Sequence, residues 1–561
     1  MAGPLERIVR SGLAYQAAAF LSALLGIVTY KAYTTAVGPV GIANADLILS
    51  WLIFLSIFAR LGFGEALLRH WYTAEATERP QLQRTIQGTV ALVSAVLGVI
   101  VIALAPQIAG GLKHGHDAGL VRIAGAALFI YCNLDLAQAL LRARDDRRAY
   151  LAASVSNVIL TVALTMTLVV WNDGGARGYL VGNYAASAVI LAALWSRELP
   201  VWLGRRASQP AHVGEGPAFV ELGESRDAEP SPAAPHHHIA SEPHGADETL
   251  DHTALAGPVD LGEIPESPEQ TRAASRGERR ALLRFGLPTV PSDAAIYGFN
   301  LLDRTILNAI GSAFAFGAFS AASKIAVGVI LVARAFQLAF PPLAYSIRDP
   351  QQASRIYASA VRGYAVLLGG TVAGVALCAP WTVHVLVGVK AGEPDVRAGV
   401  TEVLPLLAAA WALWGIVPVM TTIAGRLGAT KLTVPAAVVA LAVNAAGLAL
   451  LVPAYGAHGA AIALVVAYIV LLVVLDRLTR KWFPVSFDWP RIGIAIACSA
   501  AACLLAGPLA DAPELGWGPA GIRLLIFTAM VVALWKFAVL PDERAEAIGL
   551  ARRIARRTRP A

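Results

Sequence analysis

Fourteen apolar runs, each about twenty residues long and so matched to the hydrocarbon thickness of a bilayer, limit what this chain can fold into. They lie near 11–32, 43–68, 86–109, 119–141, 151–171 and 178–199, then near 286–310, 314–345, 357–388, 402–425, 432–453, 458–475, 491–510 and 520–540. Inside hydrocarbon every backbone amide must find its partner within the protein, and an uninterrupted run of this length does so as a helix. The rest of the composition agrees. Charged residues make up 15% of the chain and mean hydropathy is +0.60, against about 25% charged residues in soluble domains. The expectation is an all-α polytopic membrane protein with about fourteen transmembrane helices.

The short segments between runs set the orientation. One alternate set carries the basic residues: Arg69, Arg79 and Arg84; Arg142, Arg144, Arg147 and Arg148; Arg348 and Arg355; Arg426 and Lys431; Arg477, Arg480 and Lys481. The other set, which includes GPVGIANAD (38–46), WNDGGARG and PAYGAHG, is poor in charge. Cytoplasmic loops hold the excess of Lys and Arg, so both termini are expected in the cytoplasm. The net charge of +7 then reads as a topology signal, and nucleic acid is not an expected partner. The first run lacks a small-residue cleavage site and reads as a spanning helix that stays. Pro341–Pro342 are expected to end or break the eighth helix.

Between about Arg205 and Arg280 the chain is rich in Pro, Glu, Ala, Ser and His and has no apolar run. Such a composition cannot bury enough surface to order itself. The expected organisation is a six-helix N-terminal lobe (1–204), a disordered cytoplasmic loop (205–280), a six-helix C-terminal lobe (281–485), and two extra helices with a basic tail (486–561). His236, His237, His238 and His244 in that loop read as incidental, not as a metal site. Cys132, Cys378, Cys498 and Cys503 lie in apolar runs without metal-ligand spacing and read as small hydrophobes.

The halves open alike. Arg10-Ser-Gly-Leu13 precedes the first helix and Arg284-Phe-Gly-Leu287 the seventh, and Gly41 and Gly317 fall in matching places about thirty residues later. Both copies start on the same side. Parallel pseudo-repeated lobes around a central cavity are a transporter design.

Ionisable residues in hydrocarbon mark functional positions by default. Asp293, Tyr297, Asn300 and Arg304 follow one another at i, i+4, i+7 and i+11, one face of the seventh helix about 16 Å long. Tyr131, Asp135, Gln138 and Arg142 repeat the spacing on the fourth. Such a stripe is either an interhelical hydrogen-bond seam or a substrate surface. Lys324 falls near mid-depth of the eighth helix, while Arg60 and Glu65 sit toward a helix end where snorkelling suffices. Arg304 and Lys324 suit an anion, the guanidinium as a bidentate fork and the ammonium as a point charge. Asp135, Asp293 and Asp303 would carry a proton or sodium ion, or neutralise the cations; Asp303–Arg304 would alternatively be a self-compensating pair. No Walker A loop, HExxH or G-x-S-x-G occurs, so the expectation is a transporter with no catalytic residues, no metal and no cofactor.

The segments FGLPTVPSDAAIYGFNLLDRTIL, GAFSAASKIA, AFQLAFPPL, LLRARDDRRAYLAAS and LALLVPAYGAHGAAIALVVAY resemble the polysaccharide-exporter branch of the MOP flippase superfamily, the O-antigen and capsule flippases. The resemblance spans nearly the whole chain except the 205–280 insert, which is longer than the inter-lobe loop usual there. It implies alternating access and an undecaprenyl-diphosphate-linked oligosaccharide as substrate, turned across the bacterial inner membrane among membrane lipids. It implies a cationic cavity for the diphosphate to which Arg304 and Lys324 contribute, with Asn300, Tyr297 and Arg60 as further lining candidates. A polysaccharide polymerase and glycosyltransferases are the implied partners. A drug or small-solute exporter, or a membrane scaffold for polysaccharide assembly, are the alternatives.

Overall fold

The computed structural model describes residues 21–202 and 282–545, apart from short internal stretches. The 205–280 insert with its histidines, the Arg10 and Arg284 motif positions, Glu65 and the basic tail lie outside the described residues.

The chain is helical throughout the described residues. In the first half α1 covers 24–37, α2 Pro39–Arg60, α3 Arg79–Ala103, α4 Ala118–Ala143, α5 Arg147–Met166 and α6 Gly175–Trp202. In the second half α7 covers Val290–Ile310, α8 Ala313–Ser346, α9 Pro350–Leu386 and α10 Arg397–Trp414, which resumes as Val417–Arg426. The helix Thr433–Arg480 follows, with α11 before and α12 after a kink at Gly456. Last come α13, Trp489–Ala506, and α14, Trp517–Ala533. Ten of the described helices are long and apolar enough to cross a membrane. With the kinked helix counted as two arms, and the shorter α1 and α13 and the more charged α7 added, about fourteen segments result. Large apolar side chains such as Leu92, Val99, Leu450, Leu504 and Leu525 stand outward and exposed, as a lipid-facing surface requires.

Three local expectations change. GPVGIANAD is not a loop: Gly38, at φ 90, turns the chain between α1 and α2, and Pro39 starts α2 at once. A tight turn suffices because Gly adopts positive φ without strain and Pro presets the first helical φ. PAYGAHG is likewise absorbed into a bend, where Gly456 takes φ 53 and ψ −124 behind Pro453. Pro341–Pro342 do not end α8, which continues to Ser346; membrane helices tolerate proline because neighbours take up the freed carbonyls.

Helices α2, α3, α4, α5 and α6 pack together in the first half, and α7 to α12 in the second, with α13 and α14 laid on α9. Close approach is made by small residues, the device that helix packing uses where lipid removes the hydrophobic drive. Gly174, Gly178 and Gly182 recur every fourth residue where α6 meets α5, and Cβ atoms there would strike Leu168 and Thr165. Gly98 of α3 meets Gly125 of α4 in the same way. A buried polar knot ties the first half at one end: Glu198 of α6 accepts from Gln83 and Gln87 of α3 and pairs with Arg144 beyond α4 at 3.0 Å.

The halves meet along α2, which packs on both α7 and α8. Gly317 of α8 lies against Pro39 and Val40 and marks where α2 and α8 cross, whereas its counterpart Gly41 faces Val37 of α1. At the Gly38 end the halves are latched. The Gly388 amide donates to Thr34 Oγ1 at 2.7 Å, and the Lys113 amide donates to Asn308 Oδ1 at 3.0 Å. At the opposite end Gly62, at φ 69, touches the Gly286 backbone so closely that a Cβ has no room.

Candidate substrate cavity

The central ionised feature is an ion pair between the halves. Lys324 Nζ of α8 lies 2.8 Å from Asp46 Oδ1 of α2, and Ser320 Oγ, one turn earlier on α8, donates to Asp46 Oδ2 at 2.8 Å. Asp46 is 1% exposed, whereas the Lys324 side chain is 33% exposed because it reaches the cavity described below. Asp46 was not foreseen as a site residue, since it closes a segment that reads as a loop. Its helical setting, seven residues past Pro39, is what buries it.

Arg304 of α7 donates to Ser50 Oγ, again on α2. Asp303, its neighbour in sequence, turns the other way: it is buried and accepts from Asn444 Nδ2 of α11 at 3.0 Å. Successive residues on a helix diverge by about 100°, so the two side chains serve different interfaces. The self-compensating Asp303–Arg304 pair is therefore not what the fold builds. Asp293 stands exposed near the start of α7, and Tyr297 and Asn300 are half-buried between it and Arg304. The stripe thus runs from an open helix end to the inter-half seam.

Arg60 does more than snorkel. Its Nη1 sits 2.6 Å from Asp135 Oδ2 of α4, and its guanidinium lies 5.9 Å from the Tyr131 ring centroid. The fourth-helix stripe is here an interhelical seam, with Arg142 over the Tyr150 ring at the helix end.

These groups border a cavity of about 460 Å³, within the range of about 300–1,000 Å³ usual for small-molecule sites. Its walls come from α1, α2, α4, α5 and α6, closed by α8 at Lys324, Ile325 and Val327 and by Leu386 at the end of α9. Tyr30, Tyr33, Tyr131, Tyr179 and Tyr184 supply much of the lining. Of the residues singled out in the sequence, Lys324 and Tyr131 are on the lining itself; Arg60 and Asp135 stand behind Tyr131, and Arg304 reaches the neighbouring Ser50. Asp293 and Asp303 lie apart from it, and Tyr297 and Asn300 are not on its lining. No cluster of three metal-ligating side chains occurs among the described residues.

The described residues form an all-helical, two-part set of membrane-length helices with an internal cavity, and an ion pair joins the two halves at its wall. The family model of polysaccharide biosynthesis proteins matches residues 8–208. No curated protein matches the chain significantly. The fold is similar to that of the lipid II flippase MurJ in an inward closed conformation, at 11% identity and TM-score 0.64 over 93% of this chain and 98% of that one. It is also similar to an inward-facing multidrug resistance MATE transporter of the MOP superfamily, at 15% identity and TM-score 0.57 over 84% and 95% of the two chains. A MOP superfamily transporter from Pyrococcus furiosus aligns at 15% identity and TM-score 0.53 over 88% and 97%. The chain has the MOP transporter fold, and its first half carries the polysaccharide biosynthesis signature.

Proposed function

We propose that this protein is a flippase that turns an undecaprenyl-diphosphate-linked oligosaccharide across the bacterial cytoplasmic membrane for surface polysaccharide assembly. The observation that carries the reading is the Asp46–Lys324 pair at the cavity wall: a cation joining the two halves, reachable from the cavity, and opposed by a carboxylate that is not. A diphosphate entering the cavity competes with Asp46 for Lys324. Arg304, whose partner is the uncharged Ser50 hydroxyl, supplies a second cation for the same anion. Once Lys324 turns to the phosphate, Asp46 is left as a lone buried charge, which costs several kcal/mol. A proton or sodium ion on Asp46 offsets that cost, so ion coupling belongs at Asp46 before Asp293, Asp303 or Asp135. The family match over 8–208 supports a polysaccharide substrate.

The arginine alternation supports cytoplasmic termini. The Gly38 latch then faces outward and the Gly62–Gly286 contact faces the cytoplasm, and alternating access opens one while the other holds. A cysteine placed at Ser231 tests the orientation, and its reaction with an impermeant reagent in intact cells overturns it. The function is tested in a deletion strain. The expected result is loss of surface polysaccharide with lipid-linked oligosaccharide accumulating in the inner leaflet, while drug accumulation is unchanged. Intact surface polysaccharide with raised drug accumulation overturns the reading in favour of a MATE-like exporter.

A further inference from the structure

One wall of the cavity is built on a regular plan. On α5, Asn157, Thr161 and Thr165 stand at i, i+4 and i+8; on α6, Tyr179, Asn183 and Ser187 do the same, and all six line the cavity. Spacing of four keeps each set on one helical face. Each ladder is about 12 Å long at 1.5 Å per residue, enough for more than one ring-sized group. The glycine seam at Gly174, Gly178 and Gly182 pulls α6 onto α5 beside these ladders. The two polar faces therefore form one surface.

The hydrogen-bonding capacity of that surface is only half used. Ser187 Oγ donates to Asn157 Oδ1 at 3.3 Å, and Asn183 Nδ2 donates to the Tyr179 carbonyl at 2.8 Å. Each amide carries both donor and acceptor functions. The Asn157 nitrogen and the Asn183 oxygen have no partner among the described residues. Both residues are half-buried and line the cavity, so the free amide functions are open to hydroxyl or amide groups of a ligand.

The lining also says what charge the ligand carries there. Among the described lining residues the only ionised side chain is Lys324, which the flippase reading gives to the diphosphate. A second ionised group on the ligand, such as a uronic acid carboxylate, would enter this wall without a counter-charge, at a cost of several kcal/mol. Tyr179 and Tyr184 offer flat apolar faces beside the amides, which is the pairing that a sugar presents in return: hydroxyls at the rim and C–H groups on the ring faces.

Resting on the flippase reading above, we propose that the α5–α6 wall is the glycan-recognition surface and that it selects uncharged sugars. Asn157 and Asn183 bond the ring hydroxyls, and Lys324 stays with the diphosphate.

The test uses the full chain in lipid nanodiscs. Its probes are farnesyl diphosphate, three farnesyl-diphosphate-linked neutral disaccharides (of N-acetylglucosamine, glucose and mannose), and a glucuronic-acid disaccharide on the same lipid. Wild type is expected to bind at least one neutral conjugate about tenfold more tightly than farnesyl diphosphate, and the glucuronyl conjugate no more tightly than farnesyl diphosphate. Asn157→Ala with Asn183→Ala is expected to remove that tenfold gain and leave farnesyl diphosphate affinity unchanged, a retained affinity that also shows the variant to be folded. If wild type binds farnesyl diphosphate but gains nothing from any neutral disaccharide, this inference fails and the flippase reading stands. A gain that survives the double substitution, or an equal gain from the glucuronyl conjugate, also overturns it. No binding of any probe takes down the flippase reading and this one together.

Discussion

Removing either partner of the Asp46–Lys324 pair should have unequal consequences. Asp46 is 1% exposed and Lys324 33% exposed, with 2.8 Å between Oδ1 and Nζ. Lys324→Met leaves a buried carboxylate with only the Ser320 hydroxyl as partner, and stranding a buried charge costs about 3–5 kcal/mol. Asp46→Asn keeps an oxygen for Ser320 and leaves an ammonium that reaches the cavity, so its cost is about 1–2 kcal/mol. With both substitutions no charge is stranded, and the variant should be more stable than Lys324→Met alone by about 2–3 kcal/mol. Unfolding in mixed detergent micelles, at matched protein levels, reads all three. Equal losses from the single substitutions, with the double losing their sum, would refute the view that Lys324 compensates Asp46. The same three variants read for export separate the roles. The double variant should be folded but inactive, since the diphosphate has lost one of its two cations.

Asp303→Ala combined with Arg304→Ala should not restore what either loses alone, because Asp303 answers to Asn444 and Arg304 to Ser50; recovery of yield in the double variant would show a direct pair. Gly62→Ala should cost about 1–3 kcal/mol of stability, from its φ of 69 and the Gly286 backbone against it, whereas Gly64→Ala, with open space around it, should be close to neutral; a neutral Gly62→Ala would remove the seam from the account. Just before α4, hydrogen bonds from Arg177 at the start of α6, at 2.7 Å to each oxygen, hold the Asp117 carboxyl below its ordinary value. A depressed carboxylate stabilises above its unfolded value, about 3.9, and that stability is lost as pH falls through the lower folded value. Arg177→Ala should therefore lower the unfolding temperature at pH 7 and make no difference near pH 2; a gap that persists at low pH would assign it to packing instead.

How much of this was legible in the chain follows from the range of the forces involved. Hydrocarbon length and backbone hydrogen bonding act within one segment, so run lengths such as 314–345 and 119–141 forecast α8 and α4 to within a few residues. Helical spacing likewise put Asp293, Tyr297, Asn300 and Arg304 on one face, and depth along its run singled out Lys324. The ladders at 157, 161 and 165 and at 179, 183 and 187 were open to the same reasoning and were passed over because none of their residues is charged. What no single segment holds is the partner. Gly38 and Pro39 turn GPVGIANAD into a helix start, and only then is Asp46 deep enough to need Lys324, which lies 278 positions away in the chain. Asp303 and Arg304, adjacent in sequence, part company because helical rotation sends them to different neighbours. The sequence by itself determined which segments are helices and which faces are polar, since period and length are local properties. Only the tertiary structure decided which charge meets which, because an ion pair depends on how two helices cross, and that crossing is set by small residues such as Gly317 packing against Pro39 and Val40.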